Sequence, residues 1–194
     1  MLFEPLRSLG TADLIWGEVR LDYLSAVHRE GLRAACAADT EIWTTFYPVS
    51  MIGAQFDEWW DREIAGPRIV FAVLHRGQVV GTTSYLNLAP DDATLEIGGT
   101  YLSPVARGTR TNDRVKRLML SAAFAAGARR VEFRVDAINM RSRGAVAKLG
   151  GQLDGILRAH RITWTGRIRD TCVYSILASE WPAVRDRLDS ILGG

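Results

Sequence analysis

The sequence predicts an α/β (α+β) fold: one mixed, mostly antiparallel sheet of about seven strands with helices on both faces. The first observation is a strand, a short polar loop and a helix within Thr94–Ala126, followed by another strand at Val131–Val135. The second is that strand pairs typical of hairpins lie before and after this central unit. A chain of 194 residues is long enough to bury a sizeable core, so we expect one domain over residues 1–194.

The segments before the central unit are predicted from apolar periodicity and from the residues that end each pattern. Val19–Leu24 alternates as a strand does, and Ser25 is a suitable N-cap for a helix running to about residue 38. Ile42–Pro48 is predicted as a short helix or turn. A helix over Ala54–Ala65 ends at a Gly-Pro pair.

The remaining elements follow from the same two periodicities and from Gly and Pro at their ends. They are strands at Ile69–Leu74, Val79–Tyr85, Leu153–Leu157 and Thr171–Leu177, a turn at Pro90–Asp92, a short helix stopped by Gly150–Gly151, a hairpin tip at Trp164–Gly166, and a terminal helix at Glu180–Leu192.

Composition excludes several classes of protein. The net charge of +2 is too small to indicate nucleic-acid binding. Two cysteines provide no disulfide framework, which favours a reducing compartment, and we expect a cytoplasmic location. The N-terminus lacks the pattern of a signal peptide, and no apolar run approaches the ~18 residues of a membrane span. The histidines His28, His75 and His160 lack the spacing of metal ligands, so we expect no metal.

Positive charge gathers where the central helix begins. Basic residues of the loop and first turns are Arg107, Arg110, Arg114, Lys116 and Arg117. Asp113 is the only acid there. A helix N-terminus carries partial positive charge and normally attracts acids. Because added positive charge at this end does not favour stability, the pattern predicts a bound polyanion such as a pyrophosphate.

The strand E-I-G-G-T-Y-L-S-P, the loop R-G-T-R-T-N and the following helix resemble the acetyl-CoA-binding segment of GNAT acetyltransferases, most closely the RimJ/RimL-type branch. In that branch the loop reads Q/R-x-x-G-x-G/A and its backbone amides hold the CoA pyrophosphate. Arg107 fits the first position. Arg110 stands where the central glycine is expected and Asn112 where the last small residue is expected, which puts the shape of the amide cradle in question.

Two further segments extend the resemblance over nearly the whole chain, from about Val19 to the terminal helix. D-A-I-N-M-R-S-R-G-A-V-A-K-L-G resembles the family segment N-x-R-S-x-x-A-x-x-x-L-G. The closing pattern L-R-A-H-R-I-T-W-T-G-R-I-R-D-T-C-V-Y-S-I-L resembles the end of the RimJ/RimL-type branch. The resemblance therefore implies the GNAT fold and an N-acetyltransferase that uses acetyl-CoA.

The resemblance also implies a set of site residues. Glu96 is the expected general base, and Ser142 is expected to protonate or hydrogen-bond the leaving sulfur. The residues expected to bind acetyl-CoA are Tyr101, Leu102, Ser103, Arg107, Gly108, Thr109, Arg110, Thr111, Asn112, Asn139 and Ser142, with the strand residues acting through their backbone and Thr100 as a further candidate. The implied reaction is direct attack by an amine, from a protein N-terminus or a small molecule.

Structural roles compete with these functional ones. The basic residues form an ordinary solvated helix face if nothing binds there. Asn139 and Ser142 are common helix caps, and Glu96 on a strand can simply pair with an arginine. His160 is a second candidate proton acceptor. The aromatic residues that line an acceptor pocket or belong to the core are Trp43, Tyr47, Trp59 and Trp60.

Two other functions remain open from sequence. A non-catalytic CoA-binding regulatory domain is suggested by Arg110 in place of the loop glycine and by the absence of a tyrosine acid after Ser142. A nucleic-acid binder would need aromatic residues between the arginines, and there are none. The hairpin tip at Trp164 is a candidate contact for a homodimer.

Overall fold

The computed structural model describes Leu9 and residues 14–193. Its centre is a sheet of eight strands in the order β1-β2-β3-β4-β5-β6-β8-β7. The strands are β1 (Leu14–Trp16), β2 (Val19–Tyr23), β3 (Ile69–His75), β4 (Gln78–Ala89), β5 (Thr94–Leu102), β6 (Arg130–Asp136), β7 (Gln152–Ile162) and β8 (Ile168–Leu177). The mixed, mostly antiparallel sheet is confirmed. It has one strand more than predicted, because β1 has only three residues and too little pattern to be recognised.

Six α-helices of the described residues cover the two faces of the sheet. They are α1 (Arg29–Ala37), α2 (Glu41–Thr45), α3 (Ala54–Ala65), α4 (Thr111–Ala125), α5 (Met140–Leu149) and α6 (Trp181–Leu192). Alternate residues of β3 point to opposite faces. Val70 and Ala72 pack with α1–α3, whereas Phe71 and Val73 pack with α4–α6. The predicted helix after Ser25 begins as a 3-10 turn over Ala26–His28 and continues as α1.

One parallel pair interrupts the antiparallel sheet. β5 and β6 are joined only over Thr94–Glu96 and Arg130–Glu132. Beyond that point β6 stays paired with β8 and β5 stays paired with β4, so the two strands separate. We call the gap between residues 97–102 and residues 133–136 the wedge.

A β-bulge in β5 lies beside the wedge. Ser84 pairs with Gly98 and Thr82 pairs with Tyr101, so β5 carries one extra residue over this stretch. Gly99 has a φ of +58°, a conformation that glycine adopts at little cost. The paired glycines of the sequence therefore place a kink where β5 leaves β6.

The aromatic residues near the N-terminus are mainly core. Trp43 is fully buried, and Trp59 and Trp60 are 6% exposed. They belong, with the fully buried Phe56, to one apolar cluster on the α1–α3 face. The core interpretation is therefore correct for the three tryptophans. Both cysteines, Cys36 and Cys172, are buried as well.

None of the helices formed by residues 14–193 is long and apolar enough to cross a membrane. Within the same part of the chain, no group of three or more His, Cys, Asp or Glu residues is arranged to hold a metal ion.

Two glycines allow a matched test of the packing beside the wedge. A Cβ on Gly81 would lie 2.0 Å from the carbonyl oxygen of Tyr101, whereas a Cβ on Gly144 would meet nothing within 4 Å. We expect Gly81→Ala to lower the free energy of unfolding by at least ~2 kcal/mol, as overpacking does. Gly144→Ala should raise it by about 0.5–1 kcal/mol, because Gly144 is inside α5.

Urea denaturation followed by circular dichroism measures both changes. Equal stability of Gly81→Ala and the unmodified protein would mean that β4 and β5 do not approach as closely as described.

Candidate active site

The free edge of β5 offers its backbone to the wedge at two residues. The N–H of Ser103 donates to the carbonyl of Val80 (2.8 Å), and the carbonyl of Tyr101 lies against Gly81. The backbone N–H and carbonyl groups of Tyr101 and Ser103 therefore point to β4. Since the direction of these groups alternates along a strand, those of Thr100 and Leu102 point to the wedge. Of the strand residues expected to bind the cosubstrate through their backbone, only Leu102 and the further candidate Thr100 therefore have backbone groups that face the wedge.

Side chains already bind the carbonyls of Thr100 and Leu102. The hydroxyl of Tyr47 donates to the Thr100 carbonyl (2.6 Å), and Nε of Arg107 donates to the Leu102 carbonyl (2.7 Å). Nη1 of Arg107 also donates to Asp39, which lies between α1 and α2. This contact holds the pKa of the Asp39 carboxyl below its usual range. Tyr47 and Arg107 thus fix the strand end that a ligand would meet.

Arg107 is one of the residues predicted to bind the phosphates of CoA, but its contacts place the side chain within the protein. Its guanidinium is turned inward and stacks 5.5 Å from the ring of Tyr101. Nη2 is buried and has no hydrogen-bond partner among the described residues. A buried donor without a partner costs free energy. Arg107 therefore ties the end of β5 to the turn between α1 and α2 and has one donor left for an acceptor on a ligand.

The turn before α4 leaves amides open at the helix start. The first intrahelical bond runs from the N–H of Arg114 to the carbonyl of Arg110 (3.0 Å), so the N–H groups of Asn112 and Asp113 precede it. Thr109 accepts from the N–H of Thr111 (3.2 Å) and stabilises the turn. The open amides and the helix dipole form a surface for an anion.

Arg110 replaces the expected loop glycine without strain. Its φ of −79° and ψ of 8° are accessible to any residue. The left-handed conformation falls on Gly108, with φ of +72°. The concern that a side chain at position 110 distorts the amide cradle is therefore not supported, because the backbone there does not need glycine.

The basic cluster of the sequence separates in the folded protein. Arg117 pairs with Asp189 of α6 (2.6 Å), and Lys116 points inward to Thr100 (2.7 Å). With Arg107 bound to Asp39, three of the five basic side chains have no pairing carboxylate among the described residues, and of these only Arg110 and Arg114 are not turned inward. The position of Arg117 on the helix directs it to α6, so the positive charge of the cluster is not all available to a polyanion at the turn.

A cavity of about 300 Å³ opens beside the turn. It lies between the start of α4, the second half of α5 and α6. Its lining residues are Gly108, Thr109, Arg110, Asp113, Ala145, Lys148, Leu149, Leu188 and Ile191. Arg110 and Lys148 outnumber the single acid Asp113, so the cavity favours an anionic ligand with an apolar part.

Asn139 and Ser142 lie at the start of α5, which follows β6. The side-chain oxygen of Asn139 accepts from the N–H of Ser142 (3.0 Å), so Asn139 is the N-cap of the helix. The capping interpretation is therefore correct for Asn139. Its amide nitrogen and the half-buried hydroxyl of Ser142 are not part of the cap.

Glu96 stands at the last residue of β5 before the wedge opens. It is 8% exposed, accepts a hydrogen bond from Asn87 (2.7 Å) and lies 3.4 Å from Nε of Arg134. Burial raises the pKa of its carboxyl, while Arg134 acts in the opposite direction. A Cβ on Gly98 would lie 2.8 Å from the Glu96 carboxylate, so glycine is needed beside it. Glu96 is therefore both paired with an arginine and raised in its pKa.

The β7–β8 hairpin packs on the side of the sheet that carries α1–α3. Trp164 at its tip donates to the carbonyl of Trp43 (2.9 Å), and Arg167 donates to that of Thr45 (3.1 Å). The tip predicted as a dimer contact therefore packs on its own α2. His160 lies 3.0 Å from the hydroxyl of Thr171, and burial and nearby arginines lower its pKa.

Three residues of this region were not identified from sequence. The sequence marks Tyr47 only as an aromatic of the acceptor pocket or the core, and Lys116 only as one of the basic residues at the helix start. Arg134 was not singled out. A lysine in an apolar helix stripe, between Val115 and Met119, is the one available signal of burial. The tertiary contacts of Tyr47 and Arg134 leave no local pattern.

The sequence and the fold match known proteins. Residues 18–152 match the family model of the acetyltransferase (GNAT) domain. A GCN5-related N-acetyltransferase from Brucella melitensis is 28% identical with a TM-score of 0.86, over 92% of this chain and 84% of that one. A probable acetyltransferase of the GNAT family from Chromobacterium violaceum is 30% identical with a TM-score of 0.82, over 88% of each chain.

Mycobacterium smegmatis RimJ, solved in complex with CoA-disulfide, is 19% identical with a TM-score of 0.75, over 89% of this chain and 88% of that one, which shows a common fold. A comparison with curated proteins gives no match. The family model covers more than half of the chain, and the protein therefore belongs to the GNAT family of acetyltransferases, which take their acetyl group from acetyl-CoA.

Proposed function

We propose that this acetyltransferase moves the acetyl group of acetyl-CoA directly to a primary amine, with both substrates bound together. The observation that carries the proposal is the wedge, whose free β5 edge runs to the open start of α4. An extended ligand that carries amides at one end and phosphates at the other matches this order of backbone groups and helix amides. Acetyl-CoA has that chemistry.

The pantetheine arm would lie along β5. The N–H groups of Thr100 and Leu102 face the wedge, and their carbonyls are held by Tyr47 and Arg107. The unpartnered Nη2 of Arg107 would donate to a ligand carbonyl. The phosphates would meet the turn from Gly108 to Asn112, and the nucleotide would use the adjoining cavity. These contacts would hold the thioester in one orientation, which is a large part of catalysis.

The amine would enter from the face of α1–α3, where Glu96 lies. Residues 95 and 97 point into the core beneath α4, so Glu96 points to the other face. Glu96 would accept a proton from the amine, directly or through water. Ser142 would donate a hydrogen bond or a proton to the sulfur as the carbon–sulfur bond breaks. The acceptor is a protein N-terminus or a small amine.

Thiol release from acetyl-CoA tests the reaction. The unmodified protein would be assayed against peptides with free N-termini and against small primary amines, with acetylated products identified by mass spectrometry. We expect amine-dependent release of CoA. Tight CoA binding without turnover on any amine would instead support a non-catalytic CoA-binding role.

The charge at Arg110 gives a test of phosphate binding. Arg110→Glu should weaken CoA binding tenfold or more, equivalent to about 1.4 kcal/mol, because it puts a carboxylate in the cavity. The loss should be smaller at high salt, which screens charges. Isothermal titration calorimetry with CoA measures both. Arg185→Glu on α6 makes the same change of net charge and should alter the affinity less than twofold. Equal effects of the two variants would remove the cavity from the CoA site.

The raised pKa of Glu96 gives a pH test. A base must be ionised, so turnover of the unmodified enzyme should fall as the pH drops through a pKa above the ordinary glutamate value. Glu96→Gln keeps the size of the side chain and should lower kcat by about 10²–10⁴ and abolish this acidic limb. Affinity for CoA should be unchanged. An unaltered pH profile would leave Glu96 with only its pairing to Arg134.

The serine of α5 can be tested separately from its cap. The cap uses the N–H of Ser142 rather than its hydroxyl, so Ser142→Ala should leave α5 intact. We expect kcat to fall more than the affinity for acetyl-CoA. Ser190→Ala, at an exposed serine of α6, is the control. Equal kcat values for both variants would restrict Ser142 to its backbone contact.

A further inference from the structure

Lys116 of α4 is a buried lysine. The residue is 7% exposed, and its Nζ donates to the hydroxyl of Thr100 (2.7 Å). That hydroxyl lies 2.8 Å from the hydroxyl of Thr83, and Nζ is 5.8 Å from the ring centre of Phe133. No carboxylate of the described residues forms an ion pair with Lys116.

The position of Lys116 relates it to the wedge. Thr100 lies on the separated part of β5, and Phe133 is the first residue of β6 beyond the parallel ladder. The ammonium therefore lies between the two strands, on the α4 side. Glu96 faces the opposite side of the same sheet. Lys116 thus reaches the base of the gap in which the pantetheine arm is proposed to lie.

Burial of Lys116 is not explained by stability. Removing an ammonium from water without a counter-ion is costly, and one hydroxyl replaces little of its hydration. Leucine or methionine would fill the same space between Met119 and Phe133 without this cost. A residue that destabilises the fold and sits in a ligand cleft is a candidate for function.

We propose that Lys116 is a catalytic residue whose ammonium stabilises the negative charge that develops on the thioester. This inference rests on the proposed acetyl transfer. As the amine nitrogen bonds to the carbonyl carbon, the carbonyl π electrons move to oxygen, and the charged ammonium lowers the energy of that oxyanion. When the carbon–sulfur bond breaks, the oxygen regains its double bond and the sulfur leaves with the electron pair. Lys116 keeps its proton throughout. The amine proton goes to Glu96, which releases it to solvent, and the sulfur leaves as a thiolate that Ser142 hydrogen-bonds and that takes up a proton from solvent.

The surroundings of Lys116 define its pH dependence. The groups that face it are Thr100 from β5, Thr83 behind it on β4, Phe133 from β6 and Met119 on its own helix, and none of them is charged. Burial alone lowers the pKa of Lys116 to about 7. The charge needed for catalysis would therefore be lost as the pH rises through this value.

Three variants test the proposal in the full-length protein. Lys116→Met should lower kcat about a hundredfold, as loss of an oxyanion donor does, while the Kd of CoA changes less than threefold. Lys116→Arg keeps the charge and should recover part of kcat. Arg129→Met removes one positive charge at an exposed site after α4 and should leave kcat unchanged.

Stability separates catalysis from a structural role. If Lys116 only links α4 to Thr100, then Lys116→Met should lower the urea midpoint of unfolding. If the buried charge is kept for function, the midpoint should rise at pH 7. A lower midpoint together with an unchanged kcat would overturn the proposal.

The pH profile gives an independent measurement. The kcat of the unmodified enzyme should fall on the alkaline side of neutrality, and in Lys116→Arg this fall should disappear because the guanidinium stays charged. Since Lys116 and Lys148 are the only lysines of the sequence, Lys148→Arg leaves one lysine, whose Nζ can be titrated by 15N NMR. A titration near the ordinary lysine pKa would contradict the burial on which the proposal depends.

Different results would overturn the role of Lys116 and the proposed acetyl transfer. Amine-dependent turnover in the unmodified enzyme with equal kcat in Lys116→Met would overturn the role of Lys116 and leave the proposed function intact. Absence of thiol release with every amine would overturn the proposed function, and the role of Lys116 with it.

Discussion

The separation of β5 from β6 is the constraint on which the rest of the molecule depends. Each strand remains hydrogen-bonded on its outer side, to β4 and to β8, so the gap between them does not break the sheet. The inner edges nevertheless lose their partners. Unpaired backbone groups inside a protein are costly, and here Tyr47 and Arg107 bind two of the carbonyls. The remaining donors are what an amide-bearing ligand can use. The fold therefore keeps an incomplete ladder that a cosubstrate can complete.

The helix that follows the wedge distributes its basic residues by its own geometry. Residues three or four apart share a face, and consecutive residues do not. Lys116 consequently turns to the sheet while Arg117 turns to Asp189 and to the rings of Trp16 and Trp181. One run of basic residues thus serves the inside of the wedge and the contact with α6, while Arg110 lines the cavity. The number of basic residues in this part of the sequence is therefore larger than the number of positive side chains that a ligand could reach.

Much of the fold could be predicted from sequence because its elements have strong local signals. The helix over Ala54–Ala65 was placed at both ends, since its apolar stripe ends at a Gly-Pro pair. The strand β1 was missed because three residues carry no period. For the site, motif order located the turn and the start of α5, but contacts between distant residues decided each role. Arg107 meets Asp39 across 68 positions of sequence, and no local pattern encodes such a contact. Arg110 shows the converse, because only its dihedral angles reveal that a non-glycine residue fits there.

Glu96 and Lys116 approach the wedge from opposite faces of the sheet, and burial opposes ionisation in both. For the carboxyl this raises the pKa, and for the ammonium it lowers the pKa. Each shift moves the pKa toward neutral pH. The reason is that each charged form is less stable inside the protein than in water. The two costs cannot cancel by direct pairing, because the sheet lies between the groups and Glu96 is paired with Arg134 instead. A protein selected only for stability would replace both residues with apolar ones. In the proposed acyl transfer, their positions on the two sides of one gap would put a base on the side of the amine and a positive charge on the side of the thioester.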